Sequence, residues 1–340
     1  MDFQEKINQT QKVVESKFYG DIEVIATNPR YQNNYRNKTV QDILQPISSE
    51  SAKVLSLKHI EIINYLKNLV PATPIISITI KNNYKNQYQL KFTIPSEILQ
   101  NIGYLLELIE NLKRSLFINI VSGYFQVKLP TGAKPGKFDE YYHFYGEKKL
   151  TEMMDGHEIE LSPNSFCRIN YHISKFLYHR VFLMIKKITH EFSSNKNLIC
   201  FGRDINFPIE YYSSYFQEIF GITHCPLVYK DCKPKPNLIL TLAAKNEYPK
   251  RFDQYFKSNP KKEYIILVTA GRNGLGTELW KFITNHPQVS DIVYIACGRK
   301  SLGRNVEENT EMEIKHVIVM DEFPNTNSSN SIVHFKSSKN

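Results

Sequence analysis

The chain of 340 residues is long enough for two domains of ordinary size, and 41% hydrophobic with 12% aromatic residues supplies a buried core, which excludes a wholly disordered polymer. Its 43 Lys and Arg against 34 Asp and Glu leave a net charge of +9, a balance that suits a polyanionic partner because neutralised phosphates release counterions. No apolar run reaches the length of a membrane span, and Cys167, Cys200, Cys225, Cys232 and Cys297 lack the paired spacing of a zinc or iron–sulfur site, so neither membrane nor metal is expected.

The opening MDFQEKINQTQKVVESKF is polar and charged, unlike a secretory signal, and its amphipathic pattern predicts a helix. Together with the scattered cysteines it sets the expectation of a reducing, cytoplasmic setting. Helical patches follow at 39–70 and 95–114. Alternating patterns predict strands at 75–81, 88–95, 116–122 and 124–130, the last two joined as a hairpin at Ser122-Gly123. Residues 131–149 are turn-rich, so 1–150 reads as an α+β module and 151–340 as a second domain.

The second half has a different grammar. Apolar runs stand at 197–201, 226–230, 237–244, 264–270, 291–297, 316–323 and 331–336, with helical stretches at 208–220, 247–258, 274–286 and 300–311 between them. Near-continuous Val, Ile and Leu suits parallel strands covered on both faces, and strand–helix alternation predicts a doubly wound α/β sheet. Such a sheet binds ligands beyond the carboxyl ends of its strands.

Four segments then carry a resemblance. They are NPRYQNNYRNKTV near the front, ELSPNSFCRIN before the second domain, VTAGRNGLG at 268–276, and IVYIACGRKSLGRN followed by DEFPNT. In that order they resemble the YRNK, SPxxFFQxN, VDPPRxGLG and IVYISCNPxTLxRD…DxFPxT motifs of the RNA (uracil-5-)-methyltransferase family, in the branch that acts on tRNA. The resemblance implies a class I, Rossmann-like seven-stranded sheet behind a smaller α+β RNA-binding domain. It implies S-adenosyl-L-methionine as cofactor, RNA and specifically tRNA as partner, and methylation of carbon 5 of a uridine. Cys297 takes the place of the nucleophile, whose thiolate adds to carbon 6 so that carbon 5 can accept a methyl group. Nearby cations favour a thiolate, and Arg299 and Lys300 follow. Tyr35, Arg36, Lys38 and Arg272 fall at RNA-contacting positions, and Phe201, Gly202, Asn206, Thr269 and Arg168 at cofactor positions.

The sequence departs from that pattern where the chemistry is most demanding. The glycine-rich first turn reads ICFGRDINF, with only Gly202 left for close backbone approach. Arg168 replaces a glutamine, Thr269 replaces an aspartate, and no acidic residue follows the next strand before Asp231. The family's general base aligns with Asn330, and an amide cannot take up a proton near neutral pH. Asp321 is a position where the family also has aspartate, so it is no substitute. Two functions therefore stand side by side: a uridine methyltransferase, and a catalytically degenerate RNA-binding pseudoenzyme on the same frame.

Overall fold

The computed structural model describes residues 2–15, 17, 22–25, 37–41, 57–69, 75–95, 102–127, 141–166, 171–193, 196–271, 273–309, 311–321 and 329–338. The chain divides into two compact units, Asn33–Tyr171 and the combination of Met1–Gln32 with His172–Asn340. This division differs from a single boundary at 150/151, for a physical reason. Helix Phe3–Val14 sends Lys6, 1% exposed, to donate to Asp321 at 2.6 Å, and Val14 enters the core of the later sheet. Strand β1 (Glu23–Ile25) then joins that sheet, a three-residue run too short to register as a period.

In the unit Asn33–Tyr171, β2 (Asn37–Gln41), β3 (Ser77–Asn82), β4 (Gln87–Ile94), β5 (Asn119–Val127) and β6 (Tyr141–Gly146) form one sheet in that order. The β4–β5 pair is parallel and its neighbours are antiparallel. Helices Leu57–Leu69 and Ile102–Leu116 bury Ile62, Leu66, Leu105 and Ile109 with Ile78, Leu90 and Phe92. A separate hairpin, β7 (Leu150–Met154) and β8 (His157–Leu161), turns at Gly156, whose φ of +86° is a glycine conformation. The hairpin expected at Ser122-Gly123 is instead the middle of β5. Gly123 is required by crowding rather than by a turn: a Cβ would stand 2.7 Å from Ile109 Cδ1 and 2.9 Å from Tyr145 Cβ. The front of the helical patch at 39–70 is likewise strand, since residues up to Gln41 belong to β2; residues 42–56 lie outside the described set.

The larger unit carries β9 (Asn197–Gly202), β10 (Ile219–Thr223), β11 (Leu238–Leu242), β12 (Tyr264–Ala270), β13 (Val289–Ala296), β14 (Met312–Met320) and β15 (Asn330–Ser337). The sheet runs β1-β14-β15-β13-β12-β9-β10-β11, all parallel except β15, which is antiparallel to both neighbours. Every residue of β9, β12 and β13 is buried, as two covered faces require. The second strand corrects the sequence reading. It is Ile219–Thr223, whereas 226–230 lies in helix Pro226–Asp231 and the helix expected at 208–220 spans Asn206–Tyr212. Pro226 opens its helix, where a missing N–H costs nothing, and Gly221 admits Ile209 and Leu240 to within 2.9 Å of where its Cβ would be. Among the described residues, no helix is long and apolar enough to cross a membrane.

Candidate active site

The parallel strands deliver their carboxyl ends to one edge. Thr269 of β12 is in register with Gly202 of β9 on one side and Ile295 of β13 on the other. β15 starts at this edge because it runs the opposite way. Its Ser331 pairs with Ala296 and its Asn330 with Met320, so Cys297 and Asn330 hold facing positions one step beyond the last β13–β15 pair. Cys297 is half-buried. Gly298 behind it is the N-cap of helix Arg299–Glu307, its carbonyl accepting from Leu302 N at 3.0 Å and Ser301 Oγ at 2.8 Å. Burial pulls the Arg299 guanidinium below its ordinary pKa, with Glu5 opposing the shift.

Asn330 is fully buried, and among the described residues neither Oδ1 nor Nδ2 has a hydrogen-bond partner. An unpaired buried amide costs about 1–3 kcal/mol, so the arrangement is expensive as it stands. Asp321, the aspartate of the DEFPNT segment, is engaged by Lys6. Sequence reasoning missed Lys6, since nothing in a polar opening helix marks one lysine as buried.

Of the positions that the resemblance assigns to a cofactor, Phe201, Gly202, Asn206 and Thr269 gather at the same edge. Gly202 has φ +140°, and a Cβ there would collide with the Thr269 side chain and carbonyl. Thr269 Oγ1 donates to the Phe201 carbonyl at 3.3 Å, and Thr223 Oγ1 donates to the Gly202 carbonyl at 2.9 Å. Phe201 is buried edge-on against Tyr248 and Phe252. Asp204 is buried and accepts from Tyr178 OH at 2.8 Å, while Asn206, also buried, has no hydrogen-bond partner for either amide atom among the described residues. Arg203 is exposed. Beyond β10, where the resemblance calls for an acidic residue, stands His224, its Nδ1 within hydrogen-bond distance of Tyr248 OH at 3.2 Å. Burial, then Lys245 and Arg203, bring its pKa down to about 4, so the ring is neutral near pH 7.

These groups do not fit S-adenosyl-L-methionine. A sulfonium and a ribose diol want carboxylates at the ends of β10 and β12, and the strands end instead in Thr223, His224 and Thr269 under the field of Arg203 and Lys245. The threonine hydroxyls are already committed to backbone carbonyls.

Past β12, Gly274 takes φ +64° and lies against helix Arg299–Glu307, with Ser301 Cβ 2.7 Å from where its Cβ would be. Arg304 Nη2 donates to the carbonyls of Asn273 at 2.8 Å and Leu275 at 2.9 Å, and Asn305 Oδ1 accepts from Leu275 N and Tyr294 OH. The GRNGLG loop is thus tied to the helix that follows Cys297. Tyr35, Arg36, Arg168 and Arg272 lie outside the described residues. Lys38 is on β2, paired with Ile80, in the unit Asn33–Tyr171. Among the described residues, no cluster of His, Cys, Asp or Glu could hold a metal ion.

No protein-family model matches the chain, and no curated protein matches it. Solved structures do. The tRNA (uracil-54, C5)-methyltransferase of Pyrococcus abyssi, in complex with S-adenosyl-L-homocysteine, aligns at a TM-score of 0.69 and 14% identity over 98% of this chain and 84% of that one. The fold is that of a class I methyltransferase. In that frame β9, β10, β11, β12 and β13 are the parallel strands, and β15 is the reversed strand inserted between β13 and β14. The tRNA m1G37 methyltransferase of M. jannaschii also matches, at a TM-score of 0.41 and 12% identity over 75% of this chain and 73% of that one. In class I methyltransferase terms, β1 is an additional edge strand, parallel to β14.

Proposed function

We propose that this chain is an RNA-binding protein on the frame of a uracil-5 methyltransferase, in which the cysteine keeps its place and turnover is lost. The observation that supports this reading above the others is Asn330: a buried amide with no partner among the described residues, facing Cys297 one step beyond the last β13–β15 pair, where the resemblance calls for a general base. Addition of the Cys297 thiolate to carbon 6 of a uracil, with a water proton taken up at carbon 5, balances without a methyl donor. The reverse elimination needs a base to remove that proton, and an amide cannot serve. An adduct formed here is expected to resolve slowly.

RNA, and within it tRNA, is the partner this reading assigns. The net charge of +9 and the YQNNYRNK segment, which interleaves aromatic rings with Arg36 and Lys38, support it. Bases lifted from a stack rest on aromatic faces while cations hold the phosphates. The whole-chain likeness to a protein described as a tRNA methyltransferase points the same way.

A second reading, active methylation of carbon 5 of a uridine in tRNA with S-adenosyl-L-methionine, is favoured by the position of Cys297 at the end of β13. One titration separates the two. Calorimetry with S-adenosyl-L-methionine is expected to show no binding, while RNA affinity survives Cys297→Ala and weakens steeply with salt. Micromolar binding of the methyl donor, with methyl transfer abolished by Cys297→Ser, would establish the second reading instead.

A further inference from the structure

The carboxyl ends of β9, β10 and β11 stand side by side. Phe201 is in register with Ile222, and Thr223 with Leu242. Thr223 Oγ1 donates to the Gly202 carbonyl at 2.9 Å and Ala243 N donates to the Thr223 carbonyl at 3.0 Å, which ties the three ends together. Just beyond them the chain places Arg203, His224 and Lys245, the last opening the 3-10 helix Lys245–Glu247. Arg203 and Lys245 are exposed and His224 is half-buried.

These groups set the local potential. Besides burial, the charges that pull the His224 ring down to about 4 are those of Lys245 and Arg203, so the middle strand end stands in a cationic field. Neither cation has an ion pair among the described residues. The acids close to them in sequence are directed elsewhere: Asp204 is buried against Tyr178 OH, and the exposed Glu247 accepts through Oε2 from Ala244 N at 3.0 Å. An edge that would hold a sulfonium and a ribose diol through carboxylates thus presents cations instead.

Its shape argues for one kind of anion. The turn after β9 is filled, since Asp204, Ile205 and Asn206 bury their side chains and Arg203 alone of the four is exposed. A free small molecule is held by enclosing most of its surface, whereas exposed cations on strand ends touch a ligand from one side. One-sided contact suits a backbone phosphate of a polymer that is also held elsewhere. Cys297 is on the same edge, because β10 is three strands from β13 and strands are about 4.8 Å apart, which makes about 14 Å. An RNA strand with a base at Cys297 can continue along this edge.

We infer that the place where a class I methyltransferase holds its cofactor has become, in this chain, a contact for the RNA backbone, with phosphates taken by Arg203 and Lys245 beside His224. The inference rests on the RNA-binding reading above and adds to it the path of the strand. Loss of the cofactor and gain of RNA contact are then one change, made by the same side chains.

The test is fluorescence anisotropy with a labelled RNA stem–loop that has uridines in its loop, measured against salt on the full chain and on two double variants. Arg203→Gln with Lys245→Gln removes the two cations at exposed positions, so this variant is expected to fold. Lys261→Gln with Lys336→Gln removes the same charge, also from exposed positions, at the amino edge of β12 and β13. The first variant should bind roughly tenfold more weakly, with its salt slope reduced by about 1.4 for two phosphates of a single strand, and the second by less than about threefold. The His224 imidazole NMR signals should move when RNA is added to the parent chain and stay in place in the first variant. Equal losses in both variants, or no loss in the first, overturn the inference and leave RNA binding standing. No RNA binding by the parent overturns it together with the reading it rests on. Displacement of the RNA by micromolar adenosine 5′-monophosphate also overturns it, in favour of a free nucleotide.

Discussion

Asn330 and Asn206 are unusual in the same way, each a buried amide with both polar atoms unpaired among the described residues and each at the carboxyl edge of the parallel strands. Such groups cost stability until something pairs them, and removing the polarity with the shape kept can be neutral or favourable. Asn330→Leu is accordingly expected to change stability by less than about 1 kcal/mol in denaturant unfolding, or to raise it. A loss above about 2 kcal/mol would show that the amide has a partner after all. His224 supplies a pH test at the same edge. Its folded pKa of about 4 is below the ordinary value of 6.5, so protonation favours the unfolded chain. Its contribution is complete above about pH 6.5 and declines as pH falls toward 4. An NMR titration should place the His224 midpoint near 4, and a midpoint at or above 6 would remove the cationic field of Lys245 and Arg203 from the account of the site.

Single residues become decisive when elements close around them. Gly202→Ala meets both an unfavourable φ and the Thr269 backbone, which no rotamer can relieve, so a loss above about 3 kcal/mol is expected. Gly123→Ala keeps an ordinary strand conformation and meets Ile109 Cδ1, a movable methyl, as well as Tyr145 Cβ. About 1–3 kcal/mol is expected there, read from the same unfolding curves. These glycines also mark what the amino-acid order could and could not convey. The runs at 264–270 and 331–336 were legible because both faces of those strands are buried, which leaves an uninterrupted apolar string. Gly123 was misread as a turn because crowding by a helix and a neighbouring strand leaves the same letter as a reversal of direction. Ile219–Thr223 was absorbed into a helix because its five residues continue the spacing of Phe207, Tyr211 and Phe216, and only the sheet distinguishes them. Cys297 and Asn330 are singled out by motif resemblance alone, whereas Lys6 and the His334–Asp291 pair depend on partners 315 and 43 residues away, a separation that local pattern does not encode.

Across the larger unit, stability depends on two buried ion pairs. Lys6 with Asp321 fastens the opening helix. Lys6→Ala leaves a buried carboxylate without its cation, and about 3–5 kcal/mol is expected to be lost, whereas Lys6→Met with Asp321→Leu should recover most of it. Limited proteolysis of Lys6→Ala should release the first helix before the sheet. Asp291 is held low by His334 and Lys196, so the sign is the reverse of a buried isolated acid. Its stabilisation is present above about pH 4 and is lost as pH falls through 2. Asp291→Asn should therefore be less stable than the parent at pH 7 and approach it near pH 2 in thermal melts.

β1 bonds to β14 across nearly three hundred residues, Glu23 opposite Ile318. During synthesis helix Phe3–Val14 and this strand leave the ribosome long before β14, the strand that β1 pairs with. The module Asn33–Tyr171, whose two ends lie within its own stretch, can fold in the interval. A nascent chain halted before residue 312 would hold a completed module and a leading strand without β14 to pair with, and that segment is the part a chaperone or protease should find first.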